Sequence, residues 1–243
     1  MVMNGVYDHS GIKLLKDELD INFYKIAKDT CFLTPSLSTL KQHVSSNHVY
    51  TVQRMGELRV GWINQDGYAL ALAGNYKEAL TRFDEALRIE PNYMHAWNHK
   101  GLCNYFLERY PASLNCFTAA IKLNQQFIEP YINKGCSLQR LNKFERAINC
   151  FEDAESINPN SFENWANKSI SLIALGDFTG ALNCLDRAVV FNCVAPSIYG
   201  LRSICFFILE RFNEGFEDLK SAVELDSSNR TIIDLLKVYD TMV

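Results

Sequence analysis

A chain of 243 residues with 48% hydrophobic and 21% charged side chains can fill one sizeable core or one repeat array, and is too apolar for wholesale disorder. Its 24 Lys and Arg against 28 Asp and Glu leave a formal charge of −4, which supplies no general basic face for phosphates and argues against nucleic acid as a partner. The longest apolar run, Ile204 to Leu209, cannot span a bilayer, and Asp8, Lys13 and Lys16 interrupt any export-signal core, so no membrane insertion and a soluble, cytoplasmic protein are expected.

From the N-terminus, Ser10 is placed to cap a helix whose stripe Ile12, Leu15, Leu19, Phe23 and Ile26 falls at helical spacing and which ends before Pro35. A short helix over Leu37 to Val44 and a turn at Ser45, Ser46 and Asn47 come next, after which Val52, Met55 and Trp62 lead a further helix into the region beyond. Residues 1–59 therefore read as a helical N-terminal extension. The stripe needs a surface to bury it, because a lone helix of that length is marginal in water. It can cap the leading end of the region that starts at Val60, or occupy the apolar surface around Leu72, Tyr105 and Phe106.

From Val60 the chain repeats with a period of 34 residues, in units 60–93, 94–127, 128–161, 162–195 and 196–229. The seventeenth place is always aromatic, Tyr76, Tyr110, Phe144, Phe178 and Phe212, and the twenty-seventh is always alanine, Ala86, Ala120, Ala154, Ala188 and Ala222. The eighth place holds only small residues, Gly67, Gly101, Gly135, Ser169 and Ser203. Within a unit, apolar residues recur at helical spacing in two stretches, as in Trp97, Gly101 and Tyr105 and then Leu114, Phe117 and Ile121. The spacing predicts two helices joined by a tight turn, with Gly74, Asn142 and Gly176 at the turn, where a left-handed backbone is least costly. Small residues let the two axes approach while aromatics fill the neighbouring holes. One such pair cannot bury its apolar face alone, so the pairs must stack. The last segment, 230–243, sets Ile232, Leu235, Leu236 and Tyr239 against Arg230, Asp234, Lys237 and Asp240, behind Ser227 and Ser228 as capping residues, and reads as a C-terminal capping helix.

This pattern resembles the tetratricopeptide repeat, with an early aromatic, a small residue four later, then alanine, an aromatic, alanine and a closing proline. Departures are Ser113 and Gly215 where other units have Ala79, Ala147 and Ala181, and Leu185 and Leu219 where they have Phe83, Phe117 and Phe151. The closing proline survives only as Pro91 and Pro159. The resemblance implies an all-α superhelix, a TPR solenoid, whose first helices line a concave side.

On the places that contact ligand peptides in that family, this sequence has the apolar residues Tyr68, Leu72, Leu102, Tyr105, Phe106, Ile132, Ile170, Ile173, Ile204, Phe207 and Ile208. The polar members are Asn64, His95, Asn98, His99, Glu129, Asn133, Gln139, Arg140, Glu163 and Asn167. An apolar floor with a polar rim suits an amphipathic helix or an extended peptide. The same side chains are equally suited to packing between neighbouring helices. The resemblance thus implies a protein-binding scaffold or adaptor for a protein or peptide partner, with a structural subunit that self-associates through its helical ends as the alternative, and an enzyme or RNA binder as a remote third.

Some tetratricopeptide co-chaperones hold acidic chaperone tails with lysines, asparagines and an arginine. The matching places here are Asn98, Leu102, Asn133, Glu163 and Asn167, and shifting by one unit either way restores no basic clamp, so heat-shock chaperone tails are not expected as partners. His95 and His99 lie four apart, yet Ala96 stands where the helical metalloprotease motif has glutamate, and a third ligand would have to come from another helix, with Glu129 the nearest in repeat register, so the set is incomplete and no metal is expected. Cys116, Cys150 and Cys184 fall at the repeat period, beyond disulfide reach of one another, and read as small buried residues. No phosphate loop, nucleophile elbow or carboxylate pair is present, so neither catalysis nor a cofactor is expected.

Overall fold

The computed structural model describes residues 52–191 and 195–240, and the expectations for the stripe at 12–26 and the short helix at 37–44 lie outside them. Every described element is an α-helix, and the helices come in consecutive pairs, the all-α arrangement expected. Two compact units are distinguished, with a boundary after Pro159. The first contains α1 (Val52–Leu72), α2 (Tyr76–Ile89), α3 (Met94–Phe106), α4 (Tyr110–Leu123), α5 (Glu129–Arg140) and α6 (Phe144–Ile157). The second contains α7 (Phe162–Ala174), α8 (Phe178–Val190), α9 (Pro196–Ile208), α10 (Phe212–Leu225) and α11 (Arg230–Asp240). Each is a stretch of α-solenoid, and the aromatic of the seventeenth place is the first residue of every second helix.

The joint inside each pair is the same tight turn. Gly74, Asn142 and Gly176 adopt φ of 80°, 55° and 82°, as their residue types allow, and Glu108 and Glu210 adopt 57° and 60° at the equivalent places. The left-handed residue is required because the amide after it bonds back into the preceding helix, Asn75 N to Leu70 O at 2.9 Å and Arg211 N to Phe206 O at 2.8 Å. Two glutamates therefore hold a conformation that costs a residue with a Cβ about 1–2 kcal/mol.

Within a pair, glycine and phenylalanine interlock. A Cβ on Gly67 would lie 2.8 Å from the ring of Phe83, and one on Gly101 would lie 2.5 Å from that of Phe117, with Gly135 and Phe151 closer still. All three rings are fully buried, each worth about 1.5–3 kcal/mol in apolar transfer. In the second unit Leu185 and Leu219 replace the ring, and Ser169 and Ser203 replace the glycine, turning their hydroxyls back to Ala166 O and Gly200 O. The repeated alanines Ala86, Ala120, Ala154, Ala188 and Ala222 are fully buried where helix axes approach.

Six cysteines are described, all as buried thiols without a disulfide. Burial pushes Cys103 up to about 12 and Cys116 up to about 11, so neither is a thiolate at neutral pH. In the second unit Arg202 forks onto Asp218 at 2.6 and 2.7 Å and reaches Asp186 at 3.0 Å, tying α9 to both α8 and α10.

Candidate functional site

The first helices of the first unit, α1, α3 and α5, carry the N-terminal part of the expected groove. Their polar residues form an internal seam rather than a rim. His99 Nδ1 and Asn64 Oδ1 share a hydrogen bond of 3.0 Å, and Asn133 Nδ2 donates to Asn98 Oδ1 at 3.2 Å, each pair joining one helix pair to the next. All four side chains are buried. Burial holds His99 down to about 3, with a smaller push from nearby His95, so the imidazole is neutral and the seam carries no charge. His95 stacks edgewise on Tyr93 and Phe127, while His99 lies against Tyr68 and Phe83. Among the described residues no group of three or more His, Cys, Asp or Glu is arranged to hold a metal ion.

Beside this seam the surface opens. A recess of about 210 Å³ is lined by Tyr68, Ala71, Leu72, Tyr76, His99, Leu102, Cys103 and Phe106. Leu72 is 66% exposed and Phe106 49% exposed at its lip, a high degree for large apolar side chains. Phe106 is held in place by a parallel stack on Tyr76 at 5.0 Å and an edge contact from Tyr105 at 5.7 Å. The floor is made by Tyr68, His99, Leu102 and Cys103, all buried. Tyr68 Oη is buried with no hydrogen-bond partner, and burial raises its pKa. The recess is therefore largely apolar and uncharged, with the Tyr68 hydroxyl and the neutral His99 imidazole at its floor.

The other expected residues are placed differently. Ile132 and Gln139 are buried in α5, Arg140 donates from Nε to Tyr110 Oη at 3.0 Å, and Glu129 is half-buried at the start of α5. In the second unit Asn167, Ile170, Ile173 and Ile204 are buried, Ile208 is half-buried, and Glu163 accepts from Ser161 Oγ at 2.9 Å. Phe207 is 3% exposed because its ring fills the space above Gly215, where a Cβ would come within 2.7 Å of it. Of the groove expected from the sequence, Tyr68, Leu72, His99, Leu102 and Phe106 are brought together around one recess. Tyr76 also lines it, and sequence reasoning assigned that residue to the repeat framework alone; the signal was its tyrosine where other units have phenylalanine, shared only with Tyr110.

Two models of the tetratricopeptide repeat match the sequence, over residues 67–126 and 128–161. No curated protein matches it. Solved structures share the fold. PilF of Pseudomonas aeruginosa superposes with a TM-score of 0.69 at 15% identity, over 76% of this chain and 86% of PilF. TTC0263, a TPR protein of Thermus thermophilus, gives 0.59 at 20% identity, over 75% of this chain and 98% of its own. YrrB, described as a TPR protein with an unusual peptide-binding site, gives 0.59 at 16% identity, over 72% of this chain and 90% of its own. At these identities the likeness is one of fold.

Proposed function

We propose, from the premise that this chain belongs to the tetratricopeptide-repeat proteins, that it is a protein-binding scaffold or adaptor taking a partner's amphipathic helix or extended peptide on the open face of α1 and α3. The observation that supports this reading is the recess at Leu72 and Phe106, where two large apolar side chains stay exposed beside an aromatic stack. Covering them with a partner's apolar side chain releases water from both surfaces, and the neutral His99 at the floor imposes no charge-burial cost. The partnerless Tyr68 Oη favours an anchor with a polar tip, tyrosine or tryptophan, over a plain aliphatic one. The residues that line the recess include no lysine or arginine, which argues against acidic tails as its ligands.

Selection of peptides from a displayed random library by the full chain, followed by calorimetry, tests the reading. Selected peptides should carry an aromatic anchor, and Leu72→Glu and Phe106→Glu should each weaken them at least about tenfold, the loss of about 1.4 kcal/mol, with the melting temperature of Leu72→Glu, the more exposed of the two, unchanged. Peptides that bind both variants as well as the parent would place the site elsewhere.

A further inference from the structure

The repeats permit a comparison of each first helix with its own equivalents. At the third place Ala96, Ile198 and, in α11, Ile232 are fully buried, and at the tenth Cys103, Ser137 and Cys205 are buried too. Ala96 and Cys103 share a core with Ala79, Phe83 and Ala86 of α2, so the first helix of the second pair rests on the second helix of the first. On α1 the same places hold Trp62, 72% exposed, and Ala69, also exposed. Among the described residues no helix lies on this leading face of α1 and α2.

Shape and charge both change along the face. The tight turn at Gly74 makes α1 and α2 antiparallel, and Gly67 packs on Phe83, so positions 67 and 83 lie at one height. Away from the turn Trp62 protrudes from α1, and Arg88 is exposed in the last turn of α2. Toward the turn lies a recess of about 560 Å³ lined by Ala69, Leu70, Ala73, Glu78 and Thr81 among others. Arg88 is seven residues from Thr81 and therefore on the same side of α2. Thr81 Oγ1 donates to Lys77 O at 3.3 Å, which leaves the hydroxyl's lone pairs as acceptors. Asp66 and Glu85 are already on Arg82, at 3.8 and 3.2 Å, whereas Glu78 and Arg88 have no ion pair among the described residues.

We propose that this face pairs with the same face of a second copy in an antiparallel, two-fold dimer. Trp62 lies five residues to one side of position 67 and Leu72 five to the other, while Glu78 and Arg88 lie five to either side of position 83. A two-fold axis crossing α1 and α2 at that common height therefore seats Trp62 of each copy in the recess at Ala69 and Ala73 of the other, with the Thr81 hydroxyl as acceptor for its indole N–H. The same axis sets Arg88 of each copy opposite Glu78 of the other, without calling on Asp66. Each projection meets its complement twice, as an isologous interface requires. The 21 residues of α1 and 14 of α2 offer about 500 Å² of face per copy, about 1,000 Å² in all, which reaches the lower limit of a specific interface. The face shares no lining residue with the recess at Phe106, so a dimer presents that recess twice.

Sedimentation velocity of the full chain from about 1 to about 200 µM tests this, with circular dichroism confirming that each variant is folded. The parent should pass from monomer to dimer and stop there, because an isologous interface closes at two. Trp62→Glu, at a side chain exposed in the single copy, should weaken the dimer at least about tenfold, whereas Phe106→Glu should leave it unchanged. Glu78→Arg and Arg88→Glu should each weaken self-association, since like charges then face one another. An equimolar mixture of those two variants should dimerise as well as the parent, since both cross-contacts again join opposite charges. A chain still monomeric at about 200 µM, a dimer indifferent to Trp62→Glu, or a mixture that associates no better than its components overturns the proposal. Growth past the dimer overturns it as well, in favour of a head-to-tail contact.

Discussion

The interlock of Gly101 with Phe117 and its replacement by serine and leucine in the second unit define a double-mutant cycle that the chain itself has already drawn. In Gly101→Ser the new Cβ would start 2.5 Å from the Phe117 ring, about 1 Å inside ordinary contact, in a core where that ring is fully buried. Overpacking of this kind costs about 2 kcal/mol, and the better helix propensity of serine returns about 0.5, for a net loss of about 1.5 kcal/mol. Phe117→Leu alone leaves a small cavity and costs about 1 kcal/mol. In the double variant the leucine withdraws from the serine Cβ, as Leu185 and Leu219 do from Ser169 and Ser203, and the hydroxyl can turn to Asn98 O as theirs turn to Ala166 O and Gly200 O. The clash then disappears and the pair should cost only about 0.5 kcal/mol, a coupling of about 2 kcal/mol. Urea unfolding of the four proteins followed by far-UV circular dichroism measures the cycle. Additivity to within about 0.5 kcal/mol would show that ring and glycine are not in the contact described and would refute the reasoning.

Two further outcomes are expected from the same geometry. His99 titrates near 6.5 when unfolded but is held to about 3 by burial, so below pH 6.5 the unfolded chain binds a proton that the folded chain does not, and stability should fall by about 2 kcal/mol between pH 7 and about pH 5. His99→Asn, the residue type of Asn133 and Asn167 at the same place, should remove that contribution; urea midpoints with the same pH slope in both proteins would contradict it. Gly176→Ala should cost about 1 kcal/mol although nothing lies within 4 Å of the new Cβ, and Glu210→Gly should stabilise by a similar amount, both read from thermal unfolding.

The helix pairs were legible because small and aromatic residues recur at fixed offsets, and the physics behind each offset is local to one pair. The turn was only half legible. Gly74, Asn142 and Gly176 announce a left-handed residue, but Glu108 and Glu210 do not, and they adopt it because hydrogen bonds from the next residue into the preceding helix leave no other route. The candidate site was less legible still. Family register assigns Leu72, Phe106, Asn98 and Ile204 alike to a ligand-contacting face, yet the first two are exposed and the last two are buried. A first helix is covered by its own partner and by the neighbouring pairs, so a shift of one residue along it exchanges open face for seam. Phe207 carried a readable clue in Gly215, which makes room for its ring where other units have alanine or serine.

The seam also explains how nearly identical pairs keep their order. In the first unit Gly67, Gly101 and Gly135, Phe83, Phe117 and Phe151, and Ala86, Ala120 and Ala154 repeat from pair to pair, so these packing residues alone do not distinguish one neighbour from another. The polar contacts do: Asn64 meets His99, Asn98 meets Asn133, and Ser113 meets Ser137, each a different combination. A mispaired neighbour would bury one of these groups without its partner, at about 1–3 kcal/mol for each. His99 belongs to both systems, since it bonds to Asn64 in the seam and forms the floor of the recess beneath Phe106. The proposed peptide anchor therefore rests on the contact that registers the first pair against the second.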